Sequence, residues 1–292
     1  MTLPPRTARA VRAGLLLLAG LVPATLHAHP AVSVVMDGRG VVYYSDLERV
    51  WMLQPDGTKA VAVEGVHTHA LWIDAEDALY GEDVTNVGET YRHRVWKRTP
   101  DGALTDVLPW REGHPVDYGD YGFVRDGQGR SYVLRHAERR LDVRADGRLL
   151  RSISLGGLGG FIHWATRGPD GALFVGVGAA VYRIAPGGTA PVRLASDLVE
   201  RTLRFFFVHD RHALMGLWTD AAGHVYAAVF AGQVVKKITP EGAVTTVYRS
   251  EGAWSPSGGL VAPDGALWVL EFSASSQARV RRIGPGGAHR TF

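Results

Sequence analysis

The sequence predicts an all-β chain, a six-bladed β-propeller with four antiparallel strands per blade, and two periodic features carry that reading. A turn followed by a small, apolar, aromatic strand recurs as GVVYY from Gly40, DALYG from Asp77, RSYVL from Arg130, GALFV from Gly171, GHVYA from Gly223 and GALWV from Gly265. The aligned aromatics, Tyr43, Tyr80, Tyr132, Phe174, Tyr226 and Trp268, lie 37, 52, 42, 52 and 42 residues apart. That spacing suits a four-stranded blade and exceeds the ~34 residues of a helical-pair repeat. A second turn follows in every unit: QPDG from Gln54, TPDG from Thr99, RADG from Arg144, APGG from Ala185, TPEG from Thr239 and GPGG from Gly284. Proline presets one turn position and glycine supplies the positive φ that closes a hairpin.

Each unit then resolves into strands. Segments such as RVWMLQP and VVKKITP alternate apolar and polar residues, the period of a strand with one covered face. The expected order is strand A, a tight turn, strand B, a longer loop, strand C, a turn and a short strand D. Such sheets bury both faces only against neighbours, so six units should close into a ring. Residues 82–94, 109–121 and 196–213 read as extra loops overhanging one end of the channel, where function collects on a rigid scaffold.

The N-terminus reads differently. Arg6, Arg9 and Arg12 precede the apolar run AGLLLLAGLV, and the small residue Ala28 ends the segment LHA. This is the order of a secretory signal peptide over residues 1–28, leaving 29–292 as one propeller domain. The apolar run is too short for a bilayer span, so no stable membrane span is expected after cleavage, and the expected location is periplasmic or extracellular. The chain has no cysteine, which excludes a disulfide scaffold, a thiolate metal site, a lipoprotein anchor and attached haem. Removing the leader takes away three Arg and no acid, so 32 basic side chains fall to 29 against 29 acidic ones. A near-neutral chain has no field for phosphate backbones, and nucleic acid is not an expected partner. No phosphate-binding glycine loop is present, since GGLGG at 156–160 lacks a following helix pattern. The expected partner is a small molecule, and the expected state a monomer.

Equivalent positions of a propeller form rings around its axis. Eleven residues before each aromatic stand Val32, His69, Tyr121, His163, Met215 and Ser257; three residues after it stand Asp46, Asp83, Arg135, Val177, Val229 and Glu271. His69 and His163 are therefore candidate proton carriers, and Glu271, Asp83 and Asp46 candidate metal ligands. Such a ring suits a divalent cation, Mg²⁺ or Ca²⁺ ahead of Zn²⁺. Tyr121 and Arg135, with Tyr91, His93 and His212 from the loops, are candidate pocket residues. Plainer roles stay open: satisfied channel histidines, Glu271 paired with Arg135 or an amide, Asp83 capping its loop, Asp46 in a turn. Phe205, Phe206 and Phe207 cannot all face one side of a strand, so either a loop folds them back over the core or one is left as an apolar lip beside the pocket.

The units resemble the NHL, SMP-30/gluconolactonase and streptogramin-lyase group of propellers over nearly all of residues 31–290. PSGGLVAPDGALWVLEF at 256–272 is similar to the lyase blade signature of His-Gly-Ile, an Asp-Gly turn, Leu-Trp and a terminal Glu. Ser257 stands at the His position and Glu271 keeps the Glu, while His69 and His163 match the His position in their own units, followed by Ala70 and Trp164 where the signature has Gly. The resemblance implies His69 or His163 as base and Glu271 as a metal ligand. It departs in blade number, since the lyases are typically seven-bladed and six units are counted here. Gluconolactonase-like enzymes fit the count, but their metal site uses a Glu, two Asn and an Asp, and this chain has one asparagine, Asn86. The expected function is a secreted propeller handling a small ligand at the loop-rich end, as a metal-dependent hydrolase of lactonase or esterase type or as a lyase. The alternative is a non-catalytic binding or scaffold propeller.

Overall fold

Six four-stranded antiparallel sheets follow one another along the chain, each pairing its strands in sequence order. The computed structural model describes residues 29–292 apart from Phe207; the leader expected over 1–28 lies outside the described residues. Blade 1 covers 34–64, blade 2 71–112, blade 3 124–154, blade 4 162–195, blade 5 217–249 and blade 6 254–291.

The repeated aromatics hold one register. Each lies in the second strand of its blade and pairs with the innermost-strand residue eight positions earlier: Val35 with Tyr43, Trp72 with Tyr80, Val124 with Tyr132, Thr166 with Phe174, Trp218 with Tyr226 and Leu260 with Trp268. One glycine of every second turn, at 57, 102, 147, 187, 242 and 287, has a positive φ between 73° and 100°, as closing those hairpins requires.

A second repeat is buried under the first. The hydroxyls of Tyr43, Tyr80, Tyr132 and Tyr226 donate to Asp37, Asp74, Asp126 and Asp220, six residues earlier, at 3.3, 2.9, 2.8 and 3.0 Å. Where the aromatic has no hydroxyl, at Phe174 and Trp268, the residue six earlier is Gly168 or Ala262. Donor and acceptor are present together or absent together, as the cost of leaving either one buried alone requires.

Five of the six seams between blades carry a buried apolar cluster. The closing seam is one of them: Val34, Val42 and Tyr44 of blade 1 pack with Trp268, Leu270 and Phe272 of blade 6, and a parallel bridge joins Ser33 to Gly259. Backbones crowd together there, and a Cβ on Gly258 would sit 2.1 Å from the Val32 carbonyl oxygen. Between blades 2 and 3 the contacts are instead Arg125 over the Trp72 ring at 5.1 Å and His69 against Tyr121 at 5.8 Å.

Two expectations about connections are corrected. The links from second to third strand are short, two to four residues, and the long links join successive blades, reaching 21 residues at 196–216. Residues 82–94 are not a loop. They belong to a long hairpin of strands Leu79–Val87 and Thr90–Arg98, because Gly88, at φ 62°, lets Val87 pair with Thr90 across a two-residue turn and the ladder continues past the ring. Residues 109–121 likewise continue the outermost strand to Glu112 and then form a short helix, α1 (Pro115–Tyr118). The segment 196–213 is a loop, with a 3-10 turn at Leu203–Phe205 and a short helix, α2 (Asp210–Ala213). Phe205 is buried and Phe206 exposed; Phe207 lies outside the described residues. Among the described residues no helix is long and apolar enough to cross a membrane.

Candidate functional site

The blade-to-blade links and the long hairpin meet at one end of the ring around a cavity of about 770 Å³. Five of the six residues eleven before the aromatics line it: Val32, His69, Tyr121, His163 and Met215. The sixth, Ser257, is buried and directed at the Leu270 carbonyl. Beside His69 and His163 stand His29, His67, His114, His136 and His212, so seven imidazoles share the wall. Tyr91, Tyr121, Phe161 and Trp164 fill the gaps between them.

The rings form a connected belt. His67 meets His69 at 4.7 Å, His29 meets His69 at 5.9 Å and His212 at 4.9 Å, and Tyr121 meets Trp164 at 5.6 Å, all edge to face. His136 stacks on Phe161 at 6.0 Å, and Phe161 meets His163 edge-on at 5.3 Å. His163 Nε2 lies 3.0 Å from the Gly178 carbonyl oxygen. Burial holds His29, His69 and His212 each down to about 4 and also lowers His67, His114 and His136. These six rings are therefore neutral at physiological pH, with lone pairs available.

Behind His69 lies a carboxyl group that sequence reasoning passed over. Glu82, fully buried, accepts the backbone N–H groups of His69 at 2.6 Å and Ala70 at 3.0 Å. Its Oε1 is 3.4 Å from His69 Nδ1, leaving Nε2 as the ring nitrogen available to the cavity. Burial pushes the Glu82 carboxyl up to about 7, against the pull of those two backbone donors. Burial thus raises the proton affinity of Glu82 and lowers that of His69.

The residues three positions after the aromatics do not join this site. All but Asp46, which follows the end of its strand, stand on a second strand, whose side chains face adjoining strands and blades instead of the axis. Glu271 is buried between blades 5 and 6, accepting the Tyr248 hydroxyl at 2.9 Å and Arg279 at 2.6 Å. Asp83 accepts the His67 backbone N–H at 3.0 Å and pairs with Arg94. Asp46 closes a turn, accepting Glu48 and Arg49 N–H groups and the Trp51 indole at 2.7 Å. Arg135 pairs with Glu138. From the loop candidates, Tyr91 and His212 line the cavity. His93 does not: it is buried beneath the α1 segment, bonded to the Gly113 carbonyl at 2.7 Å and to Asp120 at 2.9 Å.

This donor set does not fit Mg²⁺ or Ca²⁺. Those ions take oxygen ligands, carboxylates above all, and among the described residues no Asp or Glu lines the cavity. Among the described residues no three His, Cys, Asp or Glu side chains surround a common point. Imidazole nitrogen is a ligand for later transition metals. Among the described residues the one Lys or Arg lining the cavity is Arg211.

Solved structures agree with this architecture. Virginiamycin B lyase from Staphylococcus aureus is 16% identical, with 89% of this chain and 82% of that one covered at a TM-score of 0.53. A chain of a nidogen/laminin complex is 14% identical, with 86% and 92% covered at 0.63. The calcium-binding protein regucalcin from Agrobacterium tumefaciens is 15% identical, with 82% and 81% covered at 0.51. The shared feature is the fold. This chain is a propeller of that kind. At these identities the likeness extends to the architecture alone, which serves many unrelated sites. No protein-family model matches the chain, and no curated protein matches it in sequence.

The remaining cavity histidines had a signal in the sequence. Counted from the aromatic of its own unit, His29 stands at minus 14, the position of the candidate His212, with His67 at minus 13, His114 at minus 18 and His136 at plus 4. All are phases that fall at the blade-link end.

Proposed function

We infer that this protein binds a flat, neutral or anionic small molecule in the ring-lined cavity and opens an ester or lactone in it by proton transfer through His69, with Glu82 behind it. The buried carboxyl group carries the reading. Burying such a group is costly unless it is paired, and Glu82 is spent on the backbone N–H groups of His69 and Ala70, with its Oε1 3.4 Å from the Nδ1 of that one cavity imidazole. His69 takes a proton from water as the water oxygen adds to the ester carbonyl. It returns that proton to the alkoxide as the C–O bond breaks, and Glu82 offsets the charge on the imidazole between the two steps. If the proton comes instead from the carbon next to the carbonyl, the same base drives elimination. Product mass separates the routes, since only hydrolysis adds water. The stacked rings favour a planar ligand, and Arg211 favours one with an acidic group. Export to the periplasm or medium is part of the proposal and is read from the N-terminus of the recovered protein.

The test is a panel of aryl esters, aryl lactones and cyclic depsipeptide lactones assayed for opening. Wild-type turnover should fall by ~100-fold or more in both His69→Ala and Glu82→Gln, the scale of a lost general base. Unchanged kcat/KM in both variants would overturn the assignment. Binding by calorimetry without any opening would establish the binding-propeller alternative.

A further inference from the structure

The leader expected from the sequence ends at Ala28, which makes His29 the first residue of the exported chain. That residue lines the cavity. Pro30 and Ala31 behind it are buried, and the Val32 N–H donates to the His69 carbonyl at 2.9 Å, so the start of the chain is held against blade 2. His212 approaches from the opposite link, on α2, with its ring centroid 4.9 Å from that of His29. Its Nε2 is buried with no hydrogen-bond partner.

We propose that cleavage between Ala28 and His29 frees an α-amine inside the cavity and completes a mononuclear site for a late first-row transition metal, with donors from that amine, the His29 imidazole and His212. The chemistry of the first two residues sets the donors. An α-amine and the Nδ1 of the same histidine close a six-membered chelate ring. The next residue is Pro30, which has no N–H, so the metal cannot displace an amide proton and extend its hold along the backbone. The third donor must come from elsewhere in the fold, and His212 is at the right distance. Two imidazoles sharing one metal through bonds of about 2.0–2.1 Å place their centroids on the order of 5–6 Å apart. His29 Nδ1 now makes only a long 3.3 Å contact with the Pro30 carbonyl oxygen, which a turn of the ring gives up.

Processing is what creates the site. Before cleavage the same nitrogen is an amide and donates no lone pair. All three donors are nitrogen, and among the described residues no carboxylate lines the cavity, so the site selects by the order of stability for such ligands, in which Cu²⁺ leads. This inference goes beyond the proton-transfer reading and does not depend on it, since its readout is metal binding and not turnover.

The experiment compares two forms of the chain. One is made as the full precursor and recovered after export, with its mass measured. The other is made without the leader and carries a long Gly-Ser spacer followed by Ala28 ahead of His29, which keeps its free amine out of chelating reach of the His29 amide. Each is titrated with Cu²⁺ by calorimetry and by electron paramagnetic resonance, with Zn²⁺ as competitor. The processed form should begin at His29, take one equivalent of Cu²⁺ and show coupling to nitrogen donors. The Ala28-bearing form should bind at least ~100-fold more weakly, beyond the ~10–100-fold typical of changes outside the ligand shell. His212→Phe should weaken binding in the same direction. His289→Ala, on an exposed outer strand, should leave it unchanged. If His212→Phe fails to fold, the Ala28 comparison still decides, because it alters no side chain of the fold. Equal affinity of the two forms, no Cu²⁺ binding at micromolar concentration, or a recovered N-terminus other than His29 would each overturn the proposal.

Discussion

The two ends of the ring treat polar groups in opposite ways. At the hairpin-turn end, the same buried pairing is written four times, Asp under Tyr, and both partners vanish together in blades 4 and 6. At the blade-link end the repeat breaks down: seven imidazoles converge, two pairs sharing a phase and three standing at phases of their own, and His212 Nε2 and His69 Nδ1 are buried without a hydrogen bond. Unpaired buried polar atoms cost stability. The turn end removes that cost at its four Asp–Tyr pairs, although Arg167 Nε, Trp218 Nε1 and Trp268 Nε1 stay buried without a hydrogen bond in blades 4 to 6, and at the link end such atoms gather on imidazoles around one cavity.

If the repeated end is the scaffold, damage to it should unfold the ring, whereas damage to the link end should barely register in stability. The largest effect is expected from deleting residues 278–292. This removes the two outer strands of blade 6, including fully buried Val280 and the Phe292 ring stacked on Trp268 at 5.7 Å. Cooperative thermal unfolding followed by circular dichroism should disappear, and a wild-type melting curve would show that the seam closes without them.

Next comes Glu271→Ala. It leaves Arg279 and the Tyr248 hydroxyl facing a buried gap, and breaking one side of a buried pair costs about 3 kcal/mol. Denaturant midpoints with an unchanged slope should report it. A loss below ~0.5 kcal/mol would place this carboxylate with surface pairs, which typically contribute little.

Asp126→Asn should cost about 2 kcal/mol, since the carboxylate accepts from Tyr132, from the Arg130 side chain and from two backbone N–H groups. The loss has a pH signature. Hydrogen bonds from these partners outweigh burial and hold Asp126 down to about 2, below its ordinary 3.8. A depressed carboxyl contributes fully above its unfolded pKa, and the contribution fades as pH falls through the folded one. Wild type and variant should therefore differ at pH 5 and converge between about pH 4 and 2. A gap that persisted at pH 2 would assign the effect to packing.

The smallest effect belongs to the other end. His212→Phe, measured in chelator, removes a buried unpaired nitrogen while keeping a ring in place, and should change stability by less than ~0.5 kcal/mol in either direction. A loss of 2 kcal/mol or more would mean that the imidazole is structural and would dissolve the contrast between the ends.

The repeats were legible because a blade imposes local rules. Glycine must adopt positive φ at each hairpin, and alternation must match the pleat, so spacing alone put Tyr43 and Trp268 in the same register. Counting eleven residues back from the aromatics also reached the cavity, at His69, Tyr121 and His163. Counting three residues forward did not, because the second strand is one step out from the axis and directs Glu271 and Asp83 at neighbouring strands and blades. The carboxyl beside His69 is Glu82, one residue before Asp83, and a single step along a strand exchanges its two faces.

By itself the sequence determined the six-fold β-architecture, the register of its aromatics and the absence of thiol chemistry, since each depends on neighbours along the chain or on composition. Only the tertiary structure decided which polar residues meet. His29, His69 and His212 come from three blade links far apart in sequence, and Glu82 is hidden by the strand beside it. Such meetings depend on where the links turn inward over the axis and on which face of a strand looks at the channel, and neither is encoded by local spacing.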